Sequence, residues 1–175
     1  MSNDLKKDEI IFTRRSVRHF TSQKVEPEKI DKLLRAAMQA PSAVNQQPWE
    51  FIVVQDEQRI QELAEISSGT DPLHRAPLGI VLLADENRLK IPRAWQHDMG
   101  AAMENLLLEA TALDLGAVWI GVATSEDKPE KVREYFRLPQ NIKPFAMVAI
   151  GYPEKEDNHF VDRYLPERVH YETWE

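Results

Sequence analysis

The chain has 175 residues, 42% of them apolar, and carries 29 Asp and Glu against 22 Lys and Arg, a formal charge of −7 with no cysteine. These totals predict one globular domain that buries about 70% of the surface its unfolded chain would expose, and they argue against bulk attraction to nucleic acid or anionic lipid, because the long-range field is repulsive. Disulfides, thiolate chemistry and cysteine-held iron–sulfur clusters are excluded; no run of 18 apolar residues occurs and the opening MSNDLKKDEI lacks the apolar core of a signal segment, so the expectation is a cytoplasmic protein that no membrane holds.

Along the chain, Ile30, Leu33, Leu34, Ala37 and Met38 recur at helical spacing, with Pro27 suited to a first turn and Pro41 just past the end. Phe51–Val54 reads as a buried strand, Gln58–Ile66 as a helix and Gly79–Ala84 (GIVLLA) as a second strand. Arg93 to Leu113 follows, entered by Pro92 and stopped at Gly116. Trp95, Met99, Ala102, Leu106, Ala110 and Leu113 make one stripe, while Ala101, Leu107 and Leu108 make other sides apolar too. Such a helix is expected between the core and a second surface. Ala117–Val122 (AVWIGV) is a third strand, Lys128–Phe136 a helix and Ala146–Ile150 a fourth strand. Beyond Gly151 the periodicity stops, yet Phe160, Tyr164, Tyr171 and Trp174 give the tail an apolar load that needs a docking place. Helices alternating with strands predict a layered arrangement with helices on both sheet faces, and periodicity alone suggests parallel strands.

Two stretches carry chemistry. TRRSVRHF, from Thr13 to Phe20, packs three arginines into five residues, with no acid between Glu9 and Glu26. On a helix, Arg14 and Arg18 at i and i+4 would share a face, with Arg15 and Ser16 adjacent. Guanidinium forks and a hydroxyl suit a phosphate, and a solvated basic face is an equal reading from charge alone. None of the six glycines forms GxGxxG or GxxxxGKS/T, so a nucleotide-like cofactor would have its phosphate held by side chains. APSAVNQQPW, Ala40 to Trp49, sets Asn45, Gln46 and Gln47 between two prolines. These amides can read the polar edge of a heterocycle or cap a turn-rich connection. Five histidines show no metal spacing, His97–Asp98 reads as a helix-surface pair, and Trp119 as core. Glu104 and Glu109 lie on different helix faces.

FTRRSVRHF, APSAVNQQPWEFIVV, LGAVWIGV and AIGYP, in that order over nearly the full chain, resemble the nitroreductase family of flavin-dependent oxidoreductases. The resemblance implies an α+β, three-layer fold whose mixed, mainly antiparallel central sheet is flanked by helices, and this replaces the parallel expectation. It implies residues 1–175 as a single domain forming an intertwined homodimer, with 152–175 an extension docked on the partner subunit. FMN would be bound non-covalently. Arg14, Arg15, Ser16 and Arg18 would contact its phosphate, ribityl chain and pyrimidine edge. Pro41, Ser42, Ala43, Asn45 and Gln47 would come from the other subunit. The backbone around Ile120 and Gly121 would approach N5 and O4, and Arg163 would complete the phosphate grip. Electrons would pass from NAD(P)H by a ping-pong route to a small-molecule acceptor such as a nitroaromatic or quinone, with no indispensable side-chain acid or base. The compact stretch from Ser67 to Pro92 leaves little room for a roof over the substrate channel. A flavin-fragmenting or dehalogenating enzyme on the same scaffold, or a non-catalytic flavin-binding protein, stays open at this point, and a nucleic-acid binder lacks its footprint.

Overall fold

The computed structural model describes residues 9–156 and 158–174. The opening 1–8, and Asp157 and Glu175 within the C-terminal extension, lie outside the described residues. Among the described residues, five α-helices and four strands follow in the order α1 (Ile10–Thr13), α2 (Pro27–Met38), β1 (Trp49–Val54), α3 (Glu57–Ala64), β2 (Leu78–Asp85), α4 (Trp95–Ala112), β3 (Gly116–Gly121), α5 (Lys128–Phe136) and β4 (Ile142–Gly151).

The strands form one sheet in the order β1-β2-β4-β3, and every ladder in it is antiparallel. Periodicity therefore misassigned strand direction. A continuous apolar run reports burial on both faces, which parallel sheets usually have, and here helices cover both faces of an antiparallel sheet. Ile80, Leu82 and Ala84 of β2 and Ala146, Val148 and Ile150 of β4 face a core shared with α2 and α4. Val81 and Leu83, with Met147 and Ala149, face a second core holding Ile60 and Leu63 of α3 and Val132 of α5. The result is three layers, as the resemblance implied.

Local chemistry fixes the helix ends. Pro27 and Pro129 occupy first-turn positions, where their missing N–H costs nothing. Asp56 caps α3 by accepting from the Arg59 N–H at 2.9 Å. In α2 the buried residues Ile30, Leu33 and Ala37 lie on one side. In α4 the burial is broader, and Ala101, Glu104, Asn105 and Leu108 are half-buried beside its buried stripe.

β3 is an edge strand, and the N-terminal segment straps it. Ser16 bridges Ala117 in parallel, and the Val17 N–H donates to the Ala117 carbonyl at 3.0 Å. Val17 and Phe20 are buried and fill space that two glycines leave open. A Cβ on Gly116 would stand 2.6 Å from Val17 Cγ1, and one on Gly151 would stand 3.0 Å from Phe20 Cβ. Among the described residues after Gly151, Pro153 bridges Phe20 and Pro166–Arg168 makes a short 3-10 turn. Phe160 is half-buried against Phe12, but Tyr171 and Trp174 are 80% and 86% exposed, so within one protomer the end of the tail finds no core.

Candidate functional site

The strap explains where the arginines go. α1 ends at Thr13, and Arg14 to Phe20 are extended rather than helical, so Arg14 and Arg18 do not share a helix face. Val17 points into the core between them, and its neighbours are sent to different surroundings. Arg14 reaches α4 and pairs with Glu104 at 3.1 Å. Arg18 is exposed, donates from Nη1 to the Ser16 carbonyl at 3.1 Å, and lines a cleft with Asp71 and Arg75.

Arg15 is held the most tightly. Its Nη1 donates to the Arg14 carbonyl at 2.5 Å, its Nη2 to the Phe12 carbonyl at 3.1 Å, and its backbone N–H to Asn158 Oδ1 at 3.1 Å. Asn158 in turn donates to the Leu115 carbonyl at 3.3 Å, tying the root of the tail to the start of β3. Burial, then the charges of Arg163 and Arg14, push the Arg15 pKa down from its ordinary value. Its Nε is buried and finds no partner among the described residues. The Arg15 guanidinium thus feels two like charges and keeps one orphaned donor, a state that a phosphate relieves by supplying both charge and an acceptor. A phosphate monoester such as FMN carries fits that demand.

The rest of the β3 edge is open. Because Ala117 turns its carbonyl outward to Val17, the period of two turns the N–H groups of Trp119 and Gly121 outward as well, and those of Val118 and Ile120 toward β4. Of the predicted pair, Gly121 therefore presents the edge N–H, whereas Ile120 turns a buried side chain into the core. A Cβ on Gly121 would stand 2.9 Å from Thr124 Oγ1. Trp119, expected in the core, is 38% exposed, with its ring 5.5 Å from that of Phe145, which also packs on Trp95.

In the amide-rich loop, Gln46 follows the second of the two readings and braces a turn-rich connection. Val44, Asn45 and Gln47 all have positive φ (47°, 56° and 45°), costly for a β-branched valine and sustained only where surroundings impose it. The surroundings are Gln46 and Asp98. Both are buried, at 5% and 4% exposure. Asp98 accepts from the Ala43 N–H at 2.8 Å and from Gln46 Nε2 at 2.5 Å, while Gln46 Oε1 accepts from the N–H groups of Lys90 and Ile91 at 2.9 Å each. Ser42 Oγ accepts from the Gln47 N–H at 3.0 Å. Gln46 is thus a strut, and Asp98, read as a surface partner of His97, is the buried anchor. Sequence held one signal: an acid three residues after Trp95 falls within the apolar stripe. Pro41, Asn45 and Gln47 are exposed and available to a ligand, with Ser42 and Ala43 half-buried behind them.

No hydrogen bond or ion pair among the described residues joins this loop to the arginine segment. Each leans on a different side of α4: Asp98 and Glu104 are six residues apart, about 240° around the helix at 3.6 residues per turn. Within one protomer the loop and the arginine segment therefore rest on different sides of α4.

The Nitroreductase family profile matches residues 11–71 and 69–152. A protein of Archaeoglobus fulgidus, provisionally named NADH dehydrogenase/NAD(P)H nitroreductase, is 41% identical over 168 residues, 94% of this chain and 97% of its own. A solved structure from Clostridium acetobutylicum, provisionally named NADH oxidase, superposes with a TM-score of 0.93 at 54% identity over 94% of this chain and 99% of its own. A structure from Desulfovibrio desulfuricans, provisionally named a nitroreductase and solved in complex with FMN, has a TM-score of 0.80 at 29% identity over 95% of this chain and 96% of its own.

Proposed function

The chain belongs to the nitroreductase family, and on that premise we propose that it is an FMN-dependent NAD(P)H oxidoreductase working as a homodimer, with a nitroaromatic or quinone-type compound as the electron acceptor. The observation that carries this reading is the buried Nε of Arg15, which among the described residues has no partner and feels the charges of Arg163 and Arg14.

Arg14, Arg15, Ser16, Arg18 and Arg163 hold the phosphate, ribityl chain and pyrimidine edge. FMN, when bound, supplies the redox chemistry by accepting hydride at N5 and passing electrons on. The chain's own contribution is position and charge. The outward Gly121 N–H can donate toward the N5 and O4 edge, and the guanidiniums favour the more negative reduced form. None of these groups has to move a proton, so a side-chain acid or base is dispensable.

The separation of the two segments on α4 supports the homodimer. The loop carrying Pro41, Ser42, Ala43, Asn45 and Gln47 meets no arginine of its own chain, and a second copy brings it across. The half-buried side of α4 and the exposed aromatics of the tail supply the apolar surface that such a partner covers. Residues 152–175 dock there. No helix among the described residues is long and apolar enough to cross a membrane. We place the reaction in the cytoplasm, where NAD(P)H is supplied.

Two-substrate kinetics test the proposal. With FMN loaded, NADH or NADPH varied against a nitroaromatic or a quinone should give parallel double-reciprocal lines, the signature of a reductant that leaves before the acceptor binds. Intersecting lines would contradict the ping-pong route.

A further inference from the structure

Three of the four residues from Val44 to Gln47 hold a left-handed backbone, with φ of 47° at Val44, 56° at Asn45 and 45° at Gln47. Val44 does so while 58% exposed, so no core contact of its own side chain offsets the cost to a β-branched residue. Strain of this kind persists where surroundings over-determine it, and it concentrates at ligand clamps.

The loop spends its backbone donors on holding that shape. The Ala43 N–H goes to Asp98, the Asn45 N–H to the Ser42 carbonyl at 3.0 Å, the Gln46 N–H to the Ala43 carbonyl at 3.0 Å and the Gln47 N–H to Ser42 Oγ. Behind the loop, the Gln46–Asp98 pair gathers three stretches of chain: the loop itself, the Lys90–Ile91 backbone and the first turn of α4. Among the described residues no lysine or arginine pairs with Asp98, so both of its oxygens serve the loop. The front of the loop is left unspent. Among the described residues the Val44 N–H and the side chains of Asn45 and Gln47 have no partner, and all three residues are exposed.

We infer that Gln46 and Asp98 are positioning residues for the flavin: from behind, their hydrogen bonds set the left-handed run, so that Val44, Asn45 and Gln47 meet the ring already in place. The inference rests on the FMN reading above and adds to it what shapes the loop. A loop ordered before the ligand arrives does not draw its ordering cost from binding, so FMN affinity depends on these hydrogen bonds. It does not depend on which member of the pair carries the charge.

The test moves the negative charge across the pair in full-length protein. In Asp98→Asn, one oxygen is left for two donors. In the double variant Gln46→Glu/Asp98→Asn, the new carboxylate at position 46 accepts from the Lys90 and Ile91 N–H groups and from the new amide at position 98, whose oxygen accepts from the Ala43 N–H. Only the 3.4 Å bond from Gln46 Nε2 to the Ile91 carbonyl is given up.

Far-ultraviolet circular dichroism first establishes that each variant is folded at the assay temperature. Fluorescence titration then gives FMN affinity, and visible circular dichroism at saturating FMN reports the surroundings of the ring. Asp98→Asn should bind FMN about tenfold more weakly, with an altered visible spectrum. The double variant should recover to within about threefold of wild type and regain its spectrum. A lock that only stabilises the fold leaves both readouts of folded Asp98→Asn at wild-type values, and that result overturns the inference. So does weaker binding with an unaltered spectrum, or a folded double variant as weak as Asp98→Asn. If Asp98→Asn does not fold, the double variant against wild type decides. If wild-type protein binds no FMN, the fault lies with the FMN reading, and amide hydrogen exchange still decides whether the pair sets the loop. Protection at 43–47 and 90–91 should fall in Asp98→Asn and return in the double variant, and unchanged protection overturns the inference.

Discussion

Gln46 Nε2 donates to Asp98 Oδ2 at 2.5 Å inside the protein, and through this pair the loop before β1 is locked onto the first turn of α4. The loop's positive φ angles depend on that lock. Asp98→Asn leaves one side-chain oxygen where two accept now, and sets an amide N–H₂ against a donor. The variant should lose about 1.5–3 kcal/mol, the range for hydrogen bonds to charged groups. Urea unfolding would show a lower midpoint at unchanged slope. A midpoint equal to wild type would mean that the loop is held by other contacts.

Arg14 and Glu104 make opposite predictions. Their 3.1 Å pair is partly exposed, with side-chain exposures of 22% and 46%, and the carboxylate competes with phosphate for the guanidinium. Arg14→Ala should weaken FMN binding about ten- to a hundredfold. Glu104→Gln should strengthen it, by at most about fivefold given the small worth of such pairs. Fluorescence titration with FMN measures both. Changes of the same sign would remove Glu104 from the account.

The tail gives a third. Asn158 ties its root to Arg15 and Leu115, and Phe160 lies 6.4 Å from the Phe12 ring, so both belong to the body. Removing residues 161–175 spares these anchors while deleting Arg163 and the exposed aromatics. Sedimentation should show a weakened dimer and absorbance a loss of FMN. Arg163→Ala in the full chain should lose FMN and stay dimeric. A truncated chain that remains a yellow dimer would count against the tail as a partner clamp.

Acid should expose a fourth contribution. Hydrogen bonds from Lys131 at 2.6 Å and then from Ser125 hold the Asp127 carboxyl well below its ordinary value of 3.8. The folded state therefore binds fewer protons than the unfolded one in that range. The stabilisation is full above about pH 4 and fades as pH falls toward the folded value. Asp127→Asn should be less stable than wild type at pH 6, with the gap closing below pH 4 in chemical unfolding. A gap independent of pH would contradict the linkage.

Much of the fold was legible because helices advertise themselves by period. Pro27 and the Ile30–Ala37 stripe placed α2 closely, and the strands surfaced as apolar runs. Strand direction was not legible in GIVLLA, since hydrophobicity records how many faces are covered and not which way the chain runs. The site was half legible. Residues Thr13 to Phe20 announced a charge cluster, but charge carries no direction, and only the burial of Val17 shows why Arg14 and Arg18 part. Asp98 went unread as an anchor because its partners, the Ala43 N–H and Gln46, are remote in sequence and declare nothing about burial. Trp119 was assigned to the core on composition alone. Its exposure follows from its place on an edge strand that the strap covers only as far as Ala117.

The central claim is that a riboflavin phosphate sits against the β3 edge with its anionic end on Arg15, and that a nicotinamide reduces it there. A visible absorption spectrum of the purified protein with added FMN, freed of excess and then treated with NADH or NADPH under nitrogen, tests this most directly. The account predicts one flavin per protomer and bleaching of its long-wavelength band on addition of reductant. Protein that retains no flavin, or flavin that neither reductant bleaches, would contradict it.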